Sequence, residues 1–316
     1  MSLRMIVLGS AAGGGFPQWN CRCPVCALAW DNDPRVKRRT QSSIAVETGR
    51  GAWTLFNASP DLRSQILATP KLQPTGLRET PIRSVVLTNG DVDHVDGLIT
   101  LRERSPLTVY ATSQISAVLD SNPIFGVLAK DVVGRQTVEL DKPFRIDDAT
   151  IEFFGVPGKV PLYLETENLK IGDTSGDTVG VDIRKDGRRL VYIPGCAVVN
   201  DGVLRRVDGA DVLLFDGTVF EDDEMRKAGV GEKTGRRMGH VPLSGDGGSM
   251  TAFDGVKVGR KIYIHINNTN PILVAGSPER RTVEDHGWEV SEDGLEVTVG
   301  EAVRSVERQD RGSTAA

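Results

Sequence analysis

The sequence predicts an α/β protein built as a sandwich of two mixed sheets with helices outside. Three observations lead there. Short apolar runs come first in clusters, then alternate with helical segments, and that order recurs in the second half of the chain. The 316 residues suffice for two domains or for one large α/β domain with a sizeable core. The 35 glycines and 16 prolines lower the apolar fraction to 39% and mark turns rather than disorder.

Residues 4–8 form a first strand, and the glycine-rich stretch 9–15 after it is a loop. A nucleotide-binding reading of that loop fails. The third glycine of the dinucleotide pattern is misplaced, Phe16-Pro17 stands where a helix would begin, and the Lys-Ser/Thr pair of a phosphate loop is missing. The loop calls instead for positive φ or close backbone approach. Residues 42–47 and 52–57 pair as strands about Gly49-Arg50-Gly51, and Asn57-Ala58-Ser59-Pro60-Asp61 turns into a helix over 62–67. Residues 84–88 are a buried strand, 98–104 a helix, 107–111 a strand and 113–120 a helix. Residues 144–154 read as two strands about Asp147-Asp148, and 155–161 as a loop. Strands at 179–183 and 190–193 join at Lys185-Asp186-Gly187. A strong strand at 212–215 ends at Asp216-Gly217-Thr218, and Glu221-Asp222-Asp223-Glu224 reads as the solvated start of a helix. Residues 235–248 are glycine-rich and carry His240, and 261–266 are a strand carrying His265. From residue 301 the chain is polar and frays.

A formal charge of -5 and a pI near 5.5 argue against nucleic acid as partner. No run of about 18 apolar residues occurs, so no membrane insertion is expected. The first apolar stretch is too short for a signal peptide, so a cytoplasmic location is expected.

Two constellations carry chemistry. Three of the four cysteines, Cys21, Cys23 and Cys26, lie in one C-x-C-x-x-C loop. Three thiolates suit Zn²⁺, which takes a fourth, tetrahedral partner. Cys196, or a His or Asn from elsewhere in the fold, could supply it. Of the four histidines, His286 sits in a polar turn and reads as a surface residue. Any single histidine is more often structural than a ligand. His94, His240 and His265, however, stand at or near strand ends with Asp93 and Asp216. Carboxylate and imidazole together suit Zn²⁺, Fe²⁺ or Mn²⁺, and two histidines with one carboxylate leave open positions for O₂ and substrate in non-haem Fe(II) oxygenases.

Asn89-x-Asp91-x-Asp93-His94, with Thr88 before it and Gly97-Leu98 after, resembles the H-x-H-x-D-H frame of the metallo-β-lactamase superfamily. The stretch 9–21, Asn57-Ala58-Ser59-Pro60-Asp61, Asp216-Gly217-Thr218, Gly239-His240 and the stretch 265–271 are similar, closer still, to a family acting in pyrroloquinoline quinone (PQQ) biosynthesis. The resemblance runs from about residue 5 to about residue 300. It implies an αββα sandwich in a single domain over 1–300, with a zinc-binding Cys loop near 16–30 and a flexible polar tail at 301–316. It implies a structural Zn²⁺ on Cys21, Cys23 and Cys26. Relatives complete such a site with a histidine three residues past the active-site histidine. Asn268 holds that place here, which leaves Asn268, His265, Cys196 or water as fourth ligand.

Departures from the superfamily pattern shape the expected activity. Asn89 and Asp91 replace two histidines, no histidine falls near Gly158-Lys159, and Cys196 stands where a bridging aspartate would follow Tyr192-Ile193-Pro194-Gly195. A dinuclear hydrolase needs both metals, and this chain looks equipped for one. Asp93, His94 and His265 are its expected ligands, with Asp91 a further candidate. His240 is the expected catalytic acid/base, since imidazoles exchange protons near neutral pH. Asp216 would ligate or orient an imidazole. The resemblance implies a hydroxylase that uses Fe²⁺ and O₂ on the tyrosine ring of a Glu-Tyr-derived precursor. Its partners would be a Glu-Tyr dipeptide or a PQQ intermediate and O₂, and a homodimer is allowed. Two other functions compete. One is a soluble carrier of PQQ or its precursor that assists transport towards the periplasm. The other is a metallo-hydrolase, against which the missing histidines count.

Overall fold

The computed structural model describes residues 2–299, so the tail expected from residue 301 lies outside the described residues. The strands are β1 Leu3–Gly9, β2 Ser43–Gly49, β3 Ala52–Phe56, β4 Ile82–Val86, β5 Leu107–Ala111, β6 Val133–Thr137, β7 Phe144–Ile146, β8 Ala149–Gly155, β9 Val179–Lys185, β10 Arg188–Ile193, β11 Ala210–Asp216, β12 Val258–Ile264, β13 Trp288–Val290 and β14 Glu296–Val299. They form two seven-stranded sheets, ordered β14-β1-β2-β3-β4-β5-β6 and β13-β12-β11-β10-β9-β8-β7. In each sheet, pairing is antiparallel up to one strand, β3 or β10, and parallel beyond it. Antiparallel strands need only short turns, whereas parallel ones need crossovers. The recurring order of clustered, then alternating, elements is therefore two halves of like build.

The strand sequences explain the layers. Side chains alternate between the faces of a strand. Val86 packs between the sheets with Phe56, Phe153, Tyr192 and Leu214. Its neighbours Val85 and Leu87 pack outward under Leu62, Ile115 and Leu119. On the second sheet, Val191, Leu213 and Phe215 turn outward to Val203, Val207, Phe253 and Val283. Strands covered on both faces are apolar on both, which makes 84–87 and 212–215 continuous hydrophobic runs.

The helices that bear on the site are α1 Pro24–Trp30, α2 Leu62–Ala68, α3 Val92–Val95, α4 Ser113–Ser121, α5 Asp201–Val207, α6 Glu224–Lys227 and α7 Gly235–Met238. Four expectations need correction. The helix placed at 98–104 is instead the short α3 followed by a 3₁₀ turn over Asp96–Leu101. Gly97 forces the change of course: a Cβ there would stand 2.2 Å from the Ser59 carbonyl oxygen, and its amide bonds the Ala58 carbonyl at 2.9 Å. Strand β6 was not expected, because only Val133 of its five residues is buried and no alternation marks it. His265 lies just past the end of β12, at a left-handed φ of 59°, rather than within the strand. Glu224 is buried rather than solvated: it accepts from the Phe220 amide at 2.7 Å and from the Thr269 hydroxyl at 2.5 Å. Among the described residues, no helix is long and apolar enough to cross a membrane.

Candidate metal centre

The candidate site lies where strands β4, β10, β11 and β12 end, the usual crevice of an open α/β sheet. After β4 the chain turns through Asn89-Gly90-Asp91 into α3, whose first turn carries Asp93 and His94. Asn57, at a positive φ of 66°, braces this turn: it exchanges side-chain hydrogen bonds with Thr88 at 2.9 and 3.1 Å and takes the Thr88 amide at 2.9 Å. Asp216 is the last residue of β11, and His265 follows β12.

Three imidazoles meet here. His94 and His265 have ring centres 5.2 Å apart, and His240 stacks on His265 at 5.1 Å. Their tautomers follow from their partners. Nδ1 of His94 stands 2.6 Å from Oδ1 of Asn89, an acceptor, so Nδ1 carries the proton. Nδ1 of His240 likewise donates to Oδ2 of Asp216 at 2.7 Å. The Thr218 hydroxyl lies 2.6 Å from Oδ1 of Asp216 and donates there, which leaves its oxygen to accept from Nδ1 of His265 at 2.9 Å. Every Nδ1 is thus protonated and fixed, leaving every Nε2 as a lone pair for a ligand to take.

The chemistry of this donor set fits a cation. Nε2 of His94 is buried with no hydrogen-bond partner among the described residues. Nε2 of His265 faces Oδ2 of Asp93 at 3.1 Å, and Nε2 of His94 lies 3.8 Å from the same oxygen. Two acceptors so close repel unless a proton or a metal lies between them. Ligands about 2.1 Å from one ion stand roughly 3.0–3.4 Å apart, in keeping with that spacing. Asp93, His94 and His265 form one candidate metal group, and Asp216, His240 and His265 a second that shares His265.

Electrostatics agree at His94 and at the two carboxylates, while at His265 burial is outweighed by Asp93, which holds the ring above the usual imidazole value. Burial pushes His94 down to about 4, keeping its imidazole neutral and able to ligate. Burial works against the charge on Asp93, yet the His94 and His265 rings hold its carboxylate well below the usual range. Burial also opposes ionisation of Asp216, and the His240 ring outweighs it, so this carboxylate too stays low.

Asp91 lines the same cavity but stands outside both groups. Its Oδ1 accepts the Leu162 amide at 3.0 Å, while Tyr163 donates to the Gly90 carbonyl at 2.7 Å. The turn before α3 therefore clamps the 158–165 loop. Asn89, read from sequence as a lost ligand, is the partner that orients His94. Thr218 was visible only as part of a motif; its part in fixing two imidazoles needs the strand ends brought together.

The second constellation is the Cys loop. The sulfurs of Cys21, Cys23 and Cys26 form a compact candidate metal group, with Cys26 on α1. Asn268 reaches across from the loop after β12, its side-chain nitrogen 3.3 Å from the Cys21 sulfur and 3.2 Å from that of Cys26. The hydrogen bond from Cys23, and after it Asn268, pull the Cys26 thiol below its usual value against the effect of burial. A thiolate among clustered thiols suits a soft cation. Cys196 is elsewhere: its amide donates to Oδ2 of Asp216 at 2.8 Å and its thiol to the Val198 carbonyl at 3.2 Å. His265 belongs to the other centre. Neither therefore completes the cysteine group, and Asn268 is the side chain that stands over it.

The cavity holds about 350 Å³ and is lined by Asp91, Asp93, His94, Lys159, Thr218, His240 and His265, among others. Known proteins share this build. Residues 52–266 match the model of the beta-lactamase superfamily domain. Coenzyme PQQ synthesis protein B of Methylorubrum populi is 57% identical over 295 residues, which is 93% of this chain and 99% of that one. The crystal structure of Zn²⁺-bound PqqB from Methylobacterium extorquens superposes with a TM-score of 0.92 at 54% identity, covering 93% of this chain and 99% of that chain. A diphosphatase of the PhnP family, at 21% identity and a TM-score of 0.67 over 94% of this chain and 97% of its own, shares the fold. The chain belongs to the coenzyme PQQ synthesis protein B family, within the beta-lactamase superfamily.

Proposed function

We propose that the protein acts in PQQ biosynthesis, hydroxylating the tyrosine ring of a Glu-Tyr-derived precursor with iron and O₂. The observation that carries this reading is the ligand set of Asp93, His94 and His265, which would hold one ion with coordination positions open to the cavity, whereas in the second group Asp216 is already bonded to His240 and Thr218. Held there, Fe²⁺ would supply O₂ activation, which redox-inert Zn²⁺ does not. Insertion of one oxygen atom into a ring C–H bond leaves the other to become water. That takes two electrons from an external reductant and two protons.

The chain's own residues would do the rest. His240, with Nδ1 fixed on Asp216, keeps Nε2 free to take the proton of the phenol and return it. Asp216 orients that ring and is held by the Cys196 and Thr218 amides, at 2.8 and 3.0 Å. Thr218 keeps the His265 tautomer that presents Nε2 to the ion. Cys21, Cys23 and Cys26 would hold a structural Zn²⁺, with the Asn268 amide beside it donating to the Cys21 and Cys26 sulfurs. Cytoplasmic location, and binding of a Glu-Tyr dipeptide or a PQQ intermediate, belong to the same reading. Product analysis tests it. Iron-loaded protein given glutamyl-tyrosine, O₂ and a reductant should form a catechol, and zinc-loaded protein none. Cleavage of an ester or amide by the zinc form, without ring hydroxylation, would favour a hydrolase. Tight quinone binding without turnover would favour a carrier.

A further inference from the structure

Two lysines, Lys159 and Lys233, line the cavity, and no step above uses them. The Lys159 side chain is only 10% exposed, and its stem crosses Gly239, the residue before His240. Gly239 has a φ of 89°, and a Cβ there would stand 3.2 Å from Cγ of Lys159. The turn into His240 is thus kept bare for this lysine to pass. Its ammonium lies 2.9 Å from Oε1 of Glu165, whose Oε2 accepts from Arg237 at 2.9 Å. One carboxylate thereby faces two cations.

The pairing also leaves a donor to spare. An ammonium has three. The Val160 carbonyl, at 3.3 Å, takes one and Oε1 of Glu165, at 2.9 Å, a second. No carboxylate pairs with Lys233 among the described residues. Asp91, the other acid near Lys159, already accepts from the Leu162 amide at 3.0 Å. A nearly buried ammonium with a donor left over, in a cavity with a second lysine that no carboxylate pairs, is a place for an anion.

We propose that Lys159 and Lys233 form an anion subsite that takes a carboxylate of the substrate and so sets which end of it faces the metal ligands. The subsite rests on the reading of this cavity as the site of an amino-acid-type substrate. Its rival is a plain strut, in which Lys159 only ties Glu165 to the 158–165 loop.

The test is equilibrium binding to the full chain loaded with zinc, so that no turnover intervenes. The probes are glutamyl-tyrosine, its fully amidated analogue and inorganic phosphate. Wild type should prefer the dipeptide over the amide by about tenfold to a hundredfold. Lys159→Met should reduce that preference to within about threefold, and Lys159→Arg should keep most of it, with zinc content unchanged in both. If Lys159→Met does not fold, Lys233→Met at the exposed lysine carries the test through a severalfold loss of preference. A preference that survives both methionine substitutions overturns the subsite. Phosphate that displaces the dipeptide at equal concentration overturns the assignment to a carboxylate. The two readings fail separately. Selective binding with no hydroxylation by the iron form would refute the proposed reaction and leave the subsite standing. Hydroxylation with equal affinity for dipeptide and amide would do the reverse.

Discussion

His94 carries the sharpest consequence at the scale of a single residue. Its Nδ1 proton is fixed on Asn89, burial keeps the ring neutral, and Nε2 has no partner among the described residues except what an ion would provide. His94→Ala should abolish loading of the catalytic metal while roughly one tightly held zinc remains at the cysteines. Metal analysis decides; retained iron with full activity would sink the ligand assignment. Glu224 makes a second, independent case. Burial pushes this carboxyl up to about 7, although Thr269 and the Phe220 amide favour its charged form. Between its ordinary value near 4.5 and that raised value, the folded chain keeps a proton the unfolded chain has released. The contribution of Glu224 to stability is therefore complete below about pH 4.5 and falls as pH rises to about 7. Glu224→Gln should remove that fall, gaining on the order of 3 kcal/mol over wild type across the window. Urea unfolding of both proteins over this pH range checks it; parallel curves would contradict it. Sequence placed Glu224 in solvent because four acids in a row look like a hydrated face, and only the return of Thr269 from a distant loop buries it.

At the scale of elements, the loop after β12 serves both centres. His265 and Asn267 line the cavity, Asn268 stands over the cysteine sulfurs, and Thr269 bonds Asn267 at 2.6 Å as well as Glu224. The Cys loop is fastened to the body through Asn268, and it is closed on itself by the Trp30 ring, which donates to the Cys21 carbonyl at 2.9 Å. A structural zinc contributes directly to folding. Cys23→Ser should therefore lower the unfolding midpoint and the zinc content more than it lowers kcat of the iron-loaded protein that remains folded. Thermal unfolding with metal analysis is the measurement; normal folding and full zinc would count against it. The cysteine spacing was legible because three ligands sit within six residues. The fourth partner was not, because Asn268 lies over two hundred residues away, and only the end of β12 brings it near. Cys196 drew attention as a cysteine, yet β10 delivers it to Asp216 instead.

At the scale of the whole molecule, the sandwich was legible because its strands are covered on both faces or alternate cleanly, and because the order of elements recurs. Its limits are physical. The edge strand β6 buries almost nothing and leaves no pattern, and the 3₁₀ turn at Asp96–Leu101 is dictated by the backbone contact between Gly97 and Ser59 rather than by local propensity. The candidate ligands were legible by type and position, whereas the network that fixes their tautomers was not. That network joins residues from β4, β11, β12 and the loop before them only once both sheets are formed. If Asp93, His94 and His265 hold one redox-active metal with positions open to O₂ and substrate, the wild-type chain loaded with iron anaerobically should consume O₂ on addition of a Tyr-containing dipeptide and a reductant. That uptake should depend both on iron and on the dipeptide. Absence of uptake in iron-loaded, correctly folded protein, or equal uptake in the His94→Ala variant, would contradict that assignment.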